Sequence, residues 1–197
     1  MRKTFILLVC ALFFFTGCAS TKVSRLDDGK VVDVSGYWND TDIRIVCEDL
    51  IDDCLSSSWA DNYRKANRGE YPYIIIGNVK NVSSDHIDTA IITKKLEIAL
   101  INNGINVVAD IAMRDQIDSE RRRQQYEASS DTKAKLGQEI GATYILQGSV
   151  RISVDALPGH SVRAYYVALE LVDIETNKKV WVGEDSVRKE IKRSKSS

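Results

Sequence analysis

Residues 73–79 read Tyr-Ile-Ile-Ile-Gly-Asn-Val, and this apolar run decides the fold class. Its β-branched side chains predict a strand that is covered on both faces. After a polar loop, four apolar residues recur at helical spacing, namely Ile92, Leu96, Ala99 and Leu100. Asn103-Gly104 is typical of a helix end, and residues 105–109 predict a second short strand. The order strand, helix, strand predicts a βαβ crossover with two parallel strands.

A second helical pattern lies upstream, over residues 39–55. Its apolar stripe consists of Ile43, Val46, Cys47, Leu50, Ile51, Cys54 and Leu55. Asp40 or Thr41 is placed to cap the first turn. Helical positions seven residues apart are separated by about 10.5 Å along the axis, which is beyond the reach of a disulfide. We therefore expect Cys47 and Cys54 to be buried thiols.

Three further segments complete the helical part of the chain. Residues 56–70 are polar and rich in turn formers, which predicts an irregular break. Residues 111–126 predict a helix with a weak apolar side and a heavily charged remainder. Arg121-Arg122-Arg123 in this remainder forms a solvated face or contacts lipid phosphates or an anionic wall polymer. Residues 131–140 predict another helix, capped by its first residue and closed by Gly141.

The carboxyl-terminal third predicts three antiparallel strands. Residues 144–155 alternate between apolar and polar, residues 157–160 form a turn, and residues 162–174 return as a long strand. A second turn at 176–179 leads into a strand at 180–182. The sequence thus predicts an α/β fold with a mixed sheet of about five strands, in which a βαβ unit precedes an antiparallel meander and helices pack mainly on one face.

The amino terminus has the pattern of an export signal. Residues 1–17 begin with Arg2 and Lys3 and continue in an apolar run that holds all four phenylalanines of the chain. The residues before Cys18 resemble the lipobox of bacterial lipoproteins, which implies a lipid-bearing Cys18 as the mature amino terminus. Ala19 after it favours export to the outer membrane, by analogy with Gram-negative lipoproteins. The alternative is an ordinary secreted protein with a free or disulfide-bonded Cys18.

Composition divides the remaining chain into three parts. Residues 18–36 are polar and predict a lipidated amino terminus with a short flexible tether, which reaches at most about 60 Å when extended. Residues 37–190 predict one globular domain, and residues 191–197 predict a basic, frayed tail, with fraying expected from Arg188 onward.

Several functional classes are disfavoured by the sequence. The chain has 27 Lys and Arg against 28 Asp and Glu, with interspersed signs, whereas a nucleic-acid binder needs a concentrated basic face. His86 and His160 stand alone, which disfavours a metal site and a histidine-assisted nucleophile. No Gly-x-Ser-x-Gly or phosphate-cradling loop occurs. We expect neither cofactor nor catalysis, although a glycosidase pair of carboxylates stays open on sequence alone.

Four motifs resemble one known family, the LpoB-type activators of penicillin-binding proteins. They are Ser-Gly-Tyr-Trp-Asn-Asp-Thr-Asp at 35–42, Gly77-Asn78-Val79 with Ser-Asp-His-Ile-Asp at 84–88, Gly-Ala-Thr-Tyr-Ile-Leu-Gln-Gly at 141–148, and Leu-Glu-Leu-Val-Asp-Ile-Glu-Thr at 169–176. The resemblance implies an outer-membrane lipoprotein facing the periplasm, with a domain like the amino-terminal domain of TolB. It also implies binding to a class A penicillin-binding protein, which is a peptidoglycan synthase, and no catalysis of its own.

The tether departs from this family. Members that reach a synthase at the inner membrane use a long disordered tether, whereas residues 18–36 are few. An alternative function is therefore a structural envelope lipoprotein that acts as a scaffold for an assembly or secretion complex, like the related curli-secretion lipoproteins.

Five residues are candidates for contact with a partner. Tyr37 and Trp38 lie where tether and domain meet, and they serve either core docking or an interface. Asn39 is a partner contact or, with its acidic neighbours, a helix cap. His86 stabilises its loop by a hydrogen bond or contacts the partner, and Arg151 lies on the polar side of strand 144–155.

Overall fold

The computed structural model describes Ser24, Leu26, Asp27 and residues 30–193. The signal peptide predicted at 1–17 and the lipid-bearing Cys18 lie outside these residues. The chain divides into two units, Met1–Val31 and Val32–Ser197. In the first unit, the Lys30 amide donates to the Asp27 carbonyl at 3.0 Å. Within the described residues, no helix combines the length and apolarity needed to cross a membrane.

The second unit contains nine helices and strands among the residues that the structure describes. In chain order they are α1 (Asp40–Ser56), α2 (Trp59–Ala66), β1 (Tyr73–Asn81), α3 (Thr89–Asn102), β2 (Asn106–Val108), α4 (Ile111–Glu127), β3 (Tyr144–Leu157), β4 (His160–Asp173) and β5 (Lys179–Lys192).

The strands form one mixed sheet in the order β2-β1-β3-β4-β5. β1 pairs in parallel with β2 and with β3, and β3, β4 and β5 form an antiparallel meander. The prediction of a βαβ unit followed by a meander is therefore confirmed. The β3–β4 pairing runs without interruption from Tyr144 opposite Asp173 to Leu157 opposite His160, so one continuous two-stranded ribbon forms the centre of the sheet.

Helices α1, α2 and α3 pack on one face of this sheet. α1 contacts β5 and α3, α3 contacts β1, and Trp59 of α2 meets the ring of Tyr144 edge-on at 6.1 Å. The strand residues on this face are almost completely buried and include Ile74, Leu146, Val150, Tyr165, Val167, Leu169 and Leu171. The expectation that β1 is covered on both faces was wrong, because its residues alternate between buried Ile74 and Ile76 and partly exposed Ile75.

The N-cap of helix α1 lies one residue before the earlier of the two predicted positions. Asn39, and not Asp40 or Thr41, is the N-cap, because its side chain accepts the amide of Asp42 while the Asp42 carboxylate accepts the amide of Asn39. This reciprocal pair is a capping box. Cys47 and Cys54 are buried and free, as the helical spacing predicts.

Two segments differ from their predictions. Residues 56–70 contain the short helix α2, which is only eight residues long and mostly polar. Its Trp59 is buried, and the ring nitrogen of Trp59 donates to the Cys54 carbonyl at 2.7 Å. Residues 131–140 form turns in place of the predicted helix. Leu136 and Ile140 are more than half exposed there, and Gly137 between them has a φ of +71°, which interrupts a helix.

The carboxyl-terminal tail is more ordered than its composition suggests. β5 continues through Lys192, which pairs with His160, so the prediction of fraying was wrong for residues 188–192. Val187, Lys189 and Ile191 point towards the helices, and Lys189 is only 7 % exposed. Residues 194–197 lie outside the described part.

Replacing Leu96 with alanine tests the one-sided core. Leu96 is fully buried on α3, whereas Ile98 on the same helix is 51 % exposed. We expect Leu96→Ala to lower the free energy of unfolding by about 2–5 kcal/mol, because it leaves a cavity. Ile98→Ala should change it by about 0.5 kcal/mol or less. Equilibrium urea unfolding of the chain without residues 1–18 measures both, and equal losses would contradict this packing.

Candidate functional site

Trp38 packs on strand β4 through its backbone and its ring. Its amide donates to the hydroxyl of Tyr165 at 3.2 Å, and the two ring centroids are 5.4 Å apart. The ring nitrogen of Trp38 is buried and has no hydrogen-bond partner among the described residues. Of the two roles open to Trp38, core docking is therefore the one seen in the structure.

Tyr37 lies beside it but stays accessible. The residue is 52 % exposed. Its ring stacks on the guanidinium of Arg163, with 4.2 Å between the guanidinium carbon and the ring centroid. Such a stack fixes the ring at the surface, where a tyrosine can anchor an interface.

Asp85 connects this corner to the loop after β1. Its Oδ2 accepts Nη1 of Arg163 at 2.7 Å and the hydroxyl of Tyr165 at 2.6 Å. Burial, together with the bond to Asp85, raises the pKa of Tyr165, so that its hydroxyl remains a donor. We call Tyr37, Trp38, Asp85, Arg163 and Tyr165 the Tyr37 cluster.

His86 follows Asp85 and is exposed. Its imidazole makes no hydrogen bond to the residues described here, so the expected loop-stabilising bond is absent. Its loop is held by the neighbouring Asp85 and by Asn81, which donates to the Asp85 carbonyl at 2.8 Å. The exposed ring of His86 thus adds a polar group near the Tyr37 cluster.

Asn39 belongs to a second cluster, centred on the buried amine of Lys189. This amine lies 2.6 Å from Oδ2 of Asp42 and 2.7 Å from Oδ1 of Asp33, and it donates to the Tyr37 carbonyl at 3.0 Å. Asn39 donates to the same Asp33 oxygen at 2.8 Å. The bond from Lys189 holds the pKa of Asp33 below its usual range. Asn39 therefore has a structural role: it caps α1 and binds Asp33, which agrees with the helix-cap role predicted for it.

Arg151 lies on the other face of the sheet, which α1, α2 and α3 leave uncovered. Here the strands form a trough of about 560 Å³, whose lining includes Lys80, Gln147, Arg151, Glu170 and Glu184. Its floor is made of small residues, with Ser149 opposite Ala168. We call this surface the open trough.

The charges of the open trough are unequally satisfied. Glu170 accepts a bond from Gln147 at 2.8 Å and pairs with Lys179, and the bond from Lys179 lowers its pKa. Lys80, Arg151 and Glu184 form no ion pair within the described residues. Unpaired cations on β1 and β3 therefore lie across the trough from an unpaired carboxylate on β5.

The two cysteines of α1 are not poised to act as nucleophiles. Burial raises the pKa of the Cys47 thiol to about 11 and that of Cys54 to about 12, so both stay protonated and unreactive near neutral pH. No cluster of three potential metal ligands occurs in the described part of the chain. The groups that converge on the surface are suited to binding.

The sequence identified Tyr37, Trp38 and His86 as candidates for partner contact, but it did not identify Arg163 or Lys189. Arg163 is joined to Asp85 across 78 residues, a pairing that no local pattern reveals. Lys189 gave a faint signal, because it occupies an inward position between Val187 and Ile191 where an apolar residue is expected.

Removing the Asp85 carboxylate tests the Tyr37 cluster. Asp85→Ala leaves the mostly buried Arg163 and Tyr165 without their shared acceptor, and we expect a loss of about 1–3 kcal/mol in the free energy of unfolding. His86→Ala next to it should stay within about 0.5 kcal/mol of the parent, because its side chain is exposed and unbonded. Urea unfolding of both variants is the measurement, and a neutral Asp85→Ala would contradict the proposed anchoring.

Thiol chemistry tests the burial of α1. In the chain without residues 1–18, Cys47 and Cys54 should react with DTNB at pH 8 at least about 100-fold more slowly than in urea, because little thiolate is present. Below the raised pKa, the thiolate fraction increases about tenfold per pH unit. The same shift makes the folded state lose stability as the pH rises above 9.0, since the unfolded thiol ionises first. Rapid reaction of the folded chain at pH 8 would contradict this burial.

Comparison with known proteins places the chain in a family. Among curated proteins, none matches it significantly. It is similar in fold to the LpoB C-terminal domain from Escherichia coli, with 19 % identity, coverage of 74 % of this chain and 98 % of that one, and a TM-score of 0.45. The LpoB C-terminal domain from Salmonella enterica has 18 % identity, the alignment covers 74 % of this chain and 98 % of that one, and the TM-score is 0.44. Lipoprotein GNA1162 from Neisseria meningitidis has 22 % identity, the alignment covers 64 % of this chain and 88 % of that one, and the TM-score is 0.40.

The sequence itself carries the assignment. The model of the family described as peptidoglycan-synthase activator LpoB matches residues 42–187, which is most of the chain and covers β1 to β4 in full and the larger part of β5. The resemblance to TolB is not tested by these comparisons. The chain belongs to the LpoB family of peptidoglycan-synthase activators.

Proposed function

We propose that this protein is a non-enzymatic outer-membrane lipoprotein that binds a class A penicillin-binding protein and activates it, thereby regulating peptidoglycan synthesis. Family membership supports the activator role. The Cys18 lipid anchor predicted from sequence would hold the domain in the periplasm beside the outer membrane. An activator of this kind needs a binding surface and no catalytic group of its own.

The observation that carries the proposal is the open trough. Lys80, Arg151 and Glu184 line it without an ion-pair partner in the described part of the chain. Charges that are already held on a rigid sheet can pair with a partner at little cost in ordering. The trough is therefore suited to a segment of the synthase that carries both an acidic and a basic side chain.

The Tyr37 cluster would add a second contact. Tyr37 and His86 are exposed there, while Trp38 and Asn39 are held in structural roles. Of the five candidate partner residues, we therefore assign contact to Tyr37, His86 and Arg151, and a positioning role to the other two.

Activation follows if this binding favours the active form of the synthase. A partner can shift a conformational equilibrium only by the ratio of its affinities for the two states. A tenfold preference for the active form would thus limit the stimulation to about tenfold wherever the inactive form predominates.

The direct test is binding of the full chain to each class A synthase of the source organism, together with the rate of glycan-chain synthesis with and without the chain. We expect one synthase to bind and to accelerate. Absence of binding to all of them would refute the proposal. Self-association in sedimentation experiments without synthase binding would instead support the scaffold alternative.

Charge reversal at Arg151 tests the open trough. We expect Arg151→Glu to weaken synthase binding by about tenfold or more, because it removes an unpaired cation and places like charges near Glu184. Lys133→Glu makes the same change in charge at an exposed position in the turns after α4 and should leave the affinity within about twofold. Titration calorimetry compares the two variants, and equal affinities would exclude the trough as the contact.

A further inference from the structure

We propose that residues 32–38, which we call the strap, are a releasable extension of the tether. In the clamped state the strap is fastened to β5 and β4, and in the released state it joins the predicted tether and lengthens it. The inference rests on the proposed function only in assuming that residues before the strap lead to a membrane anchor.

Contacts with β4, β5 and Asn39 hold the strap, among them the stack of Tyr37 on Arg163 and the bond from Asn39 to the Val32 carbonyl at 3.3 Å. Asp33 pairs with Lys189 at 2.7 Å, and the Tyr37 carbonyl accepts a bond from the same amine at 3.0 Å. The Trp38 amide and ring rest on Tyr165. Gly36 lies so close to β5 that a Cβ built on it would be 2.0 Å from Cδ1 of Ile191. These contacts are side-chain contacts, and the described residues provide no backbone ladder between the strap and β5.

Part of the strap is exposed. An open surface groove of about 400 Å³ is lined by residues 33–36 and residues 188–192. Val34 is 91 % exposed although it is apolar. The strap amides that are hydrogen-bonded use side-chain acceptors, as Val32 does with Thr41 and Tyr37 with Ser35. Burial of the Trp38 ring nitrogen without a partner is a further cost of the clamped state.

Release uncovers the ring of Tyr165, on which Trp38 packs, but it leaves the first turn of α1 in place. The capping box between Asn39 and Asp42 lies after the strap, so α1 keeps its first turn. Lys189 also keeps Asp42, which is 2.6 Å away and buried, when Asp33 departs. The strap can therefore come away without an uncompensated buried charge.

The consequence is a change in reach. An extended chain gains at most about 3.4 Å per residue, so the seven strap residues add about 24 Å. Residues 18–31, which precede the strap, span at most about 48 Å by the same measure. Release would thus extend the reach beyond that of residues 18–31 by about half, and residues 32–36 of this gain belong to the tether predicted from the sequence at 18–36.

A designed disulfide provides the clamped reference. The Cβ built on Gly36 is 3.7 Å from the Cβ of Ile191, which matches the mean Cβ separation of about 3.8 Å in disulfides. In the full chain with Cys10 and Cys18 replaced by serine, Gly36→Cys with Ile191→Cys is closed by oxidation and opened by reduction. Cys47 and Cys54 stay protonated and buried under these conditions.

Hydrogen exchange of the strap amides, Trp38 above all, is the first measurement. We expect exchange in the parent to be far faster than for the amides of β4, to slow in the oxidised variant, and to quicken about two- to fivefold in Asp33→Asn, which loses one partly exposed ion pair. Asp155→Asn on the exposed end of β3 is the matched control and should leave strap exchange unchanged. Strap amides as slow as those of β4, or unaffected by Asp33→Asn, would overturn the proposal.

The second measurement is length. Dyes carried by unnatural amino acids at Ser24 and Lys133 report the distance between tether and domain by energy transfer. We expect a broader and longer distance distribution after reduction than after oxidation, and identical distributions would overturn the proposal. Neither measurement involves a synthase, so a failure of synthase binding and a failure of the strap are distinguished.

Discussion

Burial of only one face of the sheet is the constraint on which the rest of this structure depends. Along β4, Tyr165, Val167, Leu169 and Leu171 are almost fully buried, while Tyr166, Ala168 and Glu170 between them stay partly exposed. Period-two alternation of this kind commits every strand in register with β4 to the same division. Helices α1, α2 and α3 must then pack on one side, and the other side is left as a partly exposed surface that includes small and charged residues together with Tyr166 and Val182. The open trough is the direct product of that division.

The buried amine of Lys189 affects how the edge strand β5 pairs and where α1 packs. Lys189 points inward from the edge strand β5 and is compensated by Asp42 in the first turn of α1. An inward charge discourages an edge strand from pairing with another chain. It also requires α1 to arrive with Asp42 in one position, because a buried amine without its carboxylate would be strongly destabilising. The same lysine holds Asp33, so the register of α1 and the clamping of the strap depend on one side chain.

Periodicity predicts most of this fold because it reports burial directly. The β1, α3, β2 unit and the meander follow from alternation and from the stripe through Ile92, Leu96 and Leu100. α2 was missed because it is only eight residues long and mostly polar, although Trp59, Ala60 and Tyr63 pack against the core. The helix predicted at 131–140 is absent because Leu136 and Ile140 stay exposed there. The Tyr37 cluster and the Lys189 cluster join residues 78 to 156 positions apart, so their existence depends on the topology and not on any local motif.

The open trough and the strap differ in how each is held in the fold. The open trough presents fixed charges on strands whose positions are set by the core, so it can be optimised for affinity and for preference between two states of a partner. The strap is held by side-chain contacts that include a partly exposed ion pair and the docked ring of Trp38, and none of them involves a residue that lines the open trough. A tethered activator benefits from this division, because the effective concentration of its binding surface depends on the length of the tether and not on the surface itself. If the strap is released as proposed, a chain with few tether residues adjusts its reach at the point where the tether joins the fold, while the open trough keeps its geometry.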